Sequence, residues 1–426
     1  MPTQKDKRFN TNFKYGAFER AYGSRMPEDM QDAFGRFRVS DPVTLFDSDM
    51  EYDKQPLIWN EDTNGVGALS THLPNESSIH MEVGTAAGEY VVRQTREYVR
   101  YIPGKSQLIL ATFCFHTTAQ VNTKKRVGYF DDRNGIYFEK DGPDLFIVRR
   151  SYTTGAVVEE RVPQAQWNVD TVDANSGINL LFDSTKTHIL VIDLEWLGVG
   201  RVRVGFNIDG QTYVVHEFLH ANNLTEVYMT SATLPIRYEI LNTAEVSAGS
   251  SMKQICSTVI SEGGSTVTRS YPFLITTGNA LTPVTTTPTA ILAIRPKTDF
   301  KGKLNRVKIS NIVANVYAEN DSAIVQVYYN ATLVGGTWLT VGTESSVEYN
   351  ITMTGFSNGF EVSNTIVPAA TAGNTRVLTS SERSVETQLP FGFDIDGSNP
   401  DNYVIVIRSL TGTTNIRANF DWVEVR

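Results

Sequence analysis

His216, Glu217 and His220, in the run His-Glu-Phe-Leu-His, fit the HExxH spacing of zinc peptidases. On a helix, positions i and i+4 lie on one face a turn apart, so both imidazoles could reach one zinc while the glutamate serves as general base. Glu226, six residues on, is a conceivable third ligand. The surroundings, however, read as strand. Tyr213, Val214 and Val215 directly follow a hairpin turn at Asp209 and Gly210. In a strand, residues four apart are separated by roughly 13 Å, too far for two zinc bonds of about 2 Å. The sequence therefore predicts two ordinary histidines on a strand, with no metal site and no peptidase chemistry.

Val191, Asp193 and Glu195 sit at alternate positions of an apolar run and resemble the catalytic strand of jelly-roll glucan hydrolases. That chemistry needs a nucleophilic carboxylate beside an acid/base carboxylate. The nucleophile position is Val191, so the match breaks at the decisive residue and no catalytic residue is assigned. Asp131, Asp132 and Asn134, and separately Asp170, Asp173 and Asn175, could offer oxygen ligands to calcium. Neither group follows an EF-hand pattern, and turn-forming Asp and Asn account for both. Arg93, Arg96, Arg100 and Lys105 alternate with Val, Tyr and Thr and read as exposed strand charges. No phosphate-binding loop, Cys/His cluster or Ser-His-Asp arrangement stands out, so no cofactor is expected.

The elements that would position these residues are strands. Short apolar runs such as SQLILATFCFH, DLFIVRRSYTTG and THILVIDLEWLGVG recur at intervals of roughly 10 to 15 residues, with no amphipathic helices between them. Val204, Phe206 and Ile208 alternate with Gly205, Asn207 and Asp209, and Asp209-Gly210, Asn134-Gly135 and Asp141-Gly142 mark tight turns. The fold class is all-β: an extended arm over residues 1–31, a β-sandwich over 32–247, a linker or edge segment rich in Ser, Thr, Gly and Pro over 248–289, and a second, jelly-roll-like β-sandwich over 290–426. Phe420 and Trp422 in the final run predict that the last strand is tied into a sheet. No heptad or short repeat suggests a fibrous shaft.

Charge is uneven. Of the net −9, residues 1–40 contribute eight Lys or Arg against five Asp or Glu, leaving a distinctly acidic body. Such a body argues against nucleic-acid binding, which needs clustered cations to neutralise phosphates. In the basic arm, Phe9, Phe13, Tyr15, Phe18 and Tyr22 have no strand or helix periodicity and are expected to dock on a partner, because aromatics and Arg are enriched in interface cores. Cys114 and Cys256 are too few for a disulfide framework, which fits assembly in a reducing cytoplasm. Neither a signal peptide nor an apolar run of about 18 residues is seen, so no export or membrane route is expected.

Several blocks carry a resemblance. DAFGRFRVSDPVTLFD (32–47), YDKQPLIW (52–59), RQTREYVRYIPGKSQLI (93–109), RVGYFDDRNGIYF (126–138) and EWLGVGRVRVGFNIDG (195–210) resemble virion structural proteins of tailed bacteriophages, over about half the chain. The stretch HILVIDLEWLGVGRVRVGFNIDGQTYVV is similar to the late strands of a concanavalin- or laminin-G-like jelly roll. The resemblance implies a non-enzymatic virion component (decoration, neck or collar, fibre or tail-associated protein) assembled in the bacterial host cytoplasm. Its expected partners are other virion proteins and further copies of itself, a trimer being one option. The alternative is a glycan-binding adhesin or host-receptor-binding protein of the virion; Trp59, Trp196 or Trp338 could stack on sugar rings, although single tryptophans in β proteins are more often core, and no ligand-binding residue is assigned.

Overall fold

The computed structural model describes residues 32–35, 38, 41–117, 120–178, 180–264, 269–278, 280–369 and 389–426, and the backbone of 378–379. The five aromatics of the arm, Phe9 to Tyr22, lie outside the described residues. The all-β reading holds: apart from one 3-10 turn at Gln164–Gln166, every regular element described is a strand. The chain divides into two units, 1–95 with 99–266, and 96–98 with 267–426.

The strands of the first unit run in order β1 (Val43–Ser48), β2 (Trp59–Asn64), β3 (Leu69–Leu73), β4 (Ser78–Val83), β5 (Tyr90–Thr95), β6 (Gln107–Cys114), β7 (Thr123–Phe130), β8 (Gly135–Asp141), β9 (Asp144–Ser151), β10 (Val158–Pro163), β11 (Thr187–Leu194), β12 (Val202–Ile208), β13 (Gln211–Phe218), β14 (Ile236–Asn242) and β15 (Ser250–Ser261). They form two antiparallel sheets. One is ordered β13-β12-β11-β6-β15-β4-β3, with β1 also on β15, and the other β10-β9-β8-β7-β14-β5-β2. Between them lies one apolar core. Phe138 is its hub, with ring centroids of Phe113, Phe115, Phe182 and Phe206 all within 5.7 Å. Trp59, one of the aromatics that could have stacked on a sugar ring, is buried in this core against Phe46 and Tyr238.

The β12–β13 hairpin forms as its sequence predicts. Asp209 and Gly210 take positive φ of 53° and 79°, the two left-handed residues that a type I′ turn requires.

The second unit is a smaller sandwich. A sheet with Ser270–Thr276, Thr414–Val425 and Lys308–Ala318 adjacent in that order faces one centred on Thr289–Pro296, Tyr403–Ser409 and Ala323–Tyr329. Its core holds Phe420 and Trp422, so the terminal strand is built in, as expected.

The 248–289 segment is not a linker, and only its later part lies at a sheet edge. Its first part is β15, a central strand between β6 and β4, and its later parts, Ser270–Thr276 and Thr282–Val284, pair with the terminal strand. The division therefore falls near residue 266. The Ser-rich composition misleads because Ser251, Gln254 and Ser257 are buried against partners distant in sequence. His116 meets Ser251, Arg93 meets Gln254, and Tyr238 meets Ser257.

Candidate functional site

The HExxH residues are separated by the end of a strand. His216 and Glu217 belong to β13, which stops at Phe218, while His220 opens the turn that follows and accepts there, through its backbone carbonyl, from the Asn223 and Leu224 amides. The expectation of both histidines on one strand is thus corrected at His220. Nδ1 of His216 accepts from the Asn168 amide at 3.2 Å. His220 stacks on Tyr228 at 3.8 Å and directs Nδ1 at the Gly200 carbonyl, 2.5 Å away. Burial pushes both imidazoles down to about 4. Glu217 pairs with Arg201 at 3.4 Å. Held by different partners, these side chains make no common ligand set, and among the described residues no group of three His, Cys, Asp or Glu is placed to hold a metal.

Asp193 is a structural anion. It is buried between Arg38 and Arg203 and accepts from Ser106 Oγ at 2.5 Å. Glu195 lies beyond β11, where its amide bonds the Arg201 carbonyl. The acidic turns act as turns: Asp131 accepts from the Arg133 and Asn134 amides, Asp170 from Val172 and Gly177, and Asp173 from Asn175.

The cations expected to be exposed are not. Arg93 is 1% exposed and donates to Gln254, Glu61 and the Lys54 carbonyl at 2.5 to 2.7 Å, with its guanidinium over Trp59. Lys105 is buried on the Gly264 carbonyl, and Arg96, which belongs to the second unit, pairs with buried Asp401. Their stems lie along apolar surface while their heads find fixed acceptors.

The densest assembly of charged groups lies on the outer face of the seven-stranded sheet. Strand register places Phe146, Glu139, Arg126, Glu239 and Val92 side by side in one row. Arg161, Val148, Tyr137, Gly128, Arg237 and Gln94 form the next. Arg126 donates to Glu139 and Glu239, both at 2.6 Å. Arg237 reaches Glu239 and Asp132, and Arg161 reaches Glu139 and Asp141. Arg150 binds Glu159 and the Asp131 carbonyl while lying over Phe130 and Tyr137. With Lys124 on Asp141, five cations meet five carboxylates in these pairs.

Gly128 is needed at the centre. A Cβ there would come within 2.6 Å of the Tyr137 Cα.

The electrostatics follow from the pairing. Burial opposes the charge on Glu239, but Arg237, Arg126 and Arg150 outweigh it and bring the carboxyl down to about 2. Burial likewise opposes the charge on Arg126, and Glu239, Tyr137 and Glu139 outweigh it, so its proton is held more tightly than usual. Residues of one sign are locked to the other.

Sequence reasoning missed this face. Its signal was present as opposite charges at one parity of KKRVGYF, GIYFEKD and IRYEILN, with core residues at the other.

A cleft of about 450 Å³ lies in the same unit at the far end of β11 and β13, lined by Phe34, Glu195, Arg201, Leu219, His220 and Asn223 among others. Trp196, near it in sequence, packs against Tyr101 and donates to the Met229 carbonyl, and Trp338 of the second unit lies under the Arg295 guanidinium at 4.1 Å.

No family model and no curated protein matches the chain. Among solved structures it is similar to a protein of unknown function from Shewanella oneidensis MR-1, at 9% identity and TM-score 0.35, covering 55% of this chain and 92% of that one. It is also similar to a legume lectin-like domain from Entamoeba histolytica, at 7% identity and TM-score 0.31, covering 52% and 99%. The CBM2 module of the evolved Dit of Lactobacillus casei BL23 phage J-1 aligns at 7% identity and TM-score 0.32, covering 53% and 99%. At these scores the likenesses carry no argument about what this chain does.

Proposed function

We propose that the chain is a non-enzymatic structural component of a tailed-phage virion, which works by assembling with other virion proteins and with further copies of itself. The observation that carries this reading is the fate of the groups that could do chemistry. Glu139, Glu239 and Asp193 are each buried between two arginines, so the strongest candidate acids are committed to holding strands together. A face built this way resists deformation instead of cycling protons.

The resemblance to virion proteins supports the same reading. Residues 126–138 build the centre of the paired-charge face, and Arg38, in the first block, is clamped by Asp193 and Glu262. The basic, aromatic arm is the docking element of this proposal. Deleting residues 1–31 is expected to leave the unfolding midpoint of the rest unchanged and to abolish incorporation into particles. Normal copy number in particles formed with the deleted chain would sink the docking role.

A further inference from the structure

The cleft beside β13 holds an unmet hydrogen-bonding demand. The Gly200 carbonyl can only accept, so the 2.5 Å contact from His220 Nδ1 fixes the ring proton on that nitrogen. Nε2 is then a bare lone pair. It is buried and, among the described residues, has no hydrogen-bond partner, in a side chain only 2% exposed. Buried polar atoms are rarely left so, and each exception asks for an explanation. The stack on Tyr228 fixes the ring in place, so the nitrogen cannot turn away to find a donor elsewhere.

The rest of the lining says what kind of donor fits. Glu195 brings a carboxylate to the wall, and Asn223, whose amide nitrogen donates to the Leu219 carbonyl, keeps its oxygen as an acceptor. Arg201 is the cation on the wall, held by the Ala33 carbonyl at 3.0 Å and by Glu217. A cationic ligand would meet that guanidinium, whereas a neutral ligand with several hydroxyls can donate to Nε2 without that repulsion. Phe34, Val199 and Leu219 give the cleft an apolar side of the kind that covers the C–H face of a sugar ring. Leu219 is 55% exposed, so its side chain has freedom to turn and admit a ligand toward Nε2.

We propose that this cleft binds one neutral sugar ring, with a sugar hydroxyl donating to Nε2 of His220. The proposal does not depend on the structural role argued above: a virion component either binds sugar here or does not.

The test uses the full chain with ¹⁵N-labelled histidine, titrated separately with D-glucose, D-galactose and N-acetyl-D-glucosamine while the His220 Nε2 resonance is followed. A saturable shift with at least one of the three is expected. His220→Phe keeps the stack on Tyr228 but removes the lone pair, and should weaken binding of that sugar about three- to tenfold, read from a tryptophan or methyl signal. Leu219→Arg, at an exposed position that tolerates the change whatever becomes of His220→Phe, should abolish binding by filling the cleft. His216→Phe should leave it unaltered. Failure of all three sugars to move the Nε2 resonance overturns the proposal, as does binding that persists at full strength in Leu219→Arg.

Discussion

The two faces of the seven-stranded sheet are made by the same strands, and both bury side chains, yet they are built from opposite materials. Inward, Val127, Tyr129, Ile136, Phe138, Ile147 and Ile240 pack an apolar core. Outward, at alternate positions of those strands, Arg126, Glu139, Arg150, Arg237 and Glu239 are also buried. The inner face is held by area removed from water. Charge compensation holds the outer one, and it is unforgiving of a single loss, because a buried charge without its partner costs far more than a missing methylene. Burial in this protein is therefore no guide to apolarity, and charge is no guide to reactivity.

The sharpest way to break the comparison is to remove one residue from each face. Arg126→Met takes one of its two arginines from each of the buried Glu139 and Glu239 and should cost about 3 to 5 kcal/mol. Phe138→Ala, on the inner face, should cost a similar amount, about 3 to 5 kcal/mol, through the cavity it leaves. Urea denaturation of both variants measures this. A loss below about 1 kcal/mol for Arg126→Met would mean that the outer charges merely decorate the sheet.

Acidity and alkalinity should distinguish the faces next, with opposite signs. Glu239 is drawn down to about 2, so the native state keeps it ionised while the unfolded chain protonates it near the ordinary carboxylate value. Its stabilisation is present above about pH 4.5 and is lost as pH falls toward 2. Glu239→Gln should flatten the fall of the urea midpoint over that window.

On the inner side, burial and then the nearby Lys140 push the Lys125 ammonium down to about 7, although its Nζ donates to the Phe115 and Ser251 carbonyls and to Thr117. Between about pH 7 and 10.5 the unfolded chain holds the proton that the native state releases, so this group makes stability rise with pH. Lys125→Met should remove that rise, seen as equal urea midpoints at the two ends of the window. A Lys125→Met chain whose pH response matches the parent would show that the ammonium stays charged in its cage of acceptors.

The smallest effect is expected where charge is exposed. Lys301 and Glu344 of the second unit pair at 2.8 Å with both side chains more than half exposed, and Lys301→Ala should change stability by less than about 0.5 kcal/mol. A larger loss would show that exposed pairs also help hold this protein together.

These contrasts explain what the sequence could and could not tell. The β12–β13 hairpin was legible because alternation and an Asp-Gly turn both speak for it, and the terminal strand because Phe420 and Trp422 mark a buried face. Strand β15 was not. Its buried positions are filled by Ser and Gln, which match a linker in composition and are distinguished only by partners distant in sequence, such as Tyr238 and Arg93. The paired-charge face was hidden for the same reason: Arg126 and Glu239 lie 113 positions apart, and alternate charges on a strand ordinarily face water. His220 was misplaced by two residues, because nothing in HEFLH signals that the strand stops at Phe218. The arm, on which the docking expectation rests, lies outside the described residues.

The proposal of a virion protein whose acids and bases are spent on its own fold is tested most directly by quantitative mass spectrometry of the purified phage particles to which that proposal assigns the chain. The chain should be present in a fixed, whole-number ratio to the major capsid protein, unchanged after salt washes that strip loosely bound proteins. Absence from the particles, or a variable trace removed by washing, would contradict it.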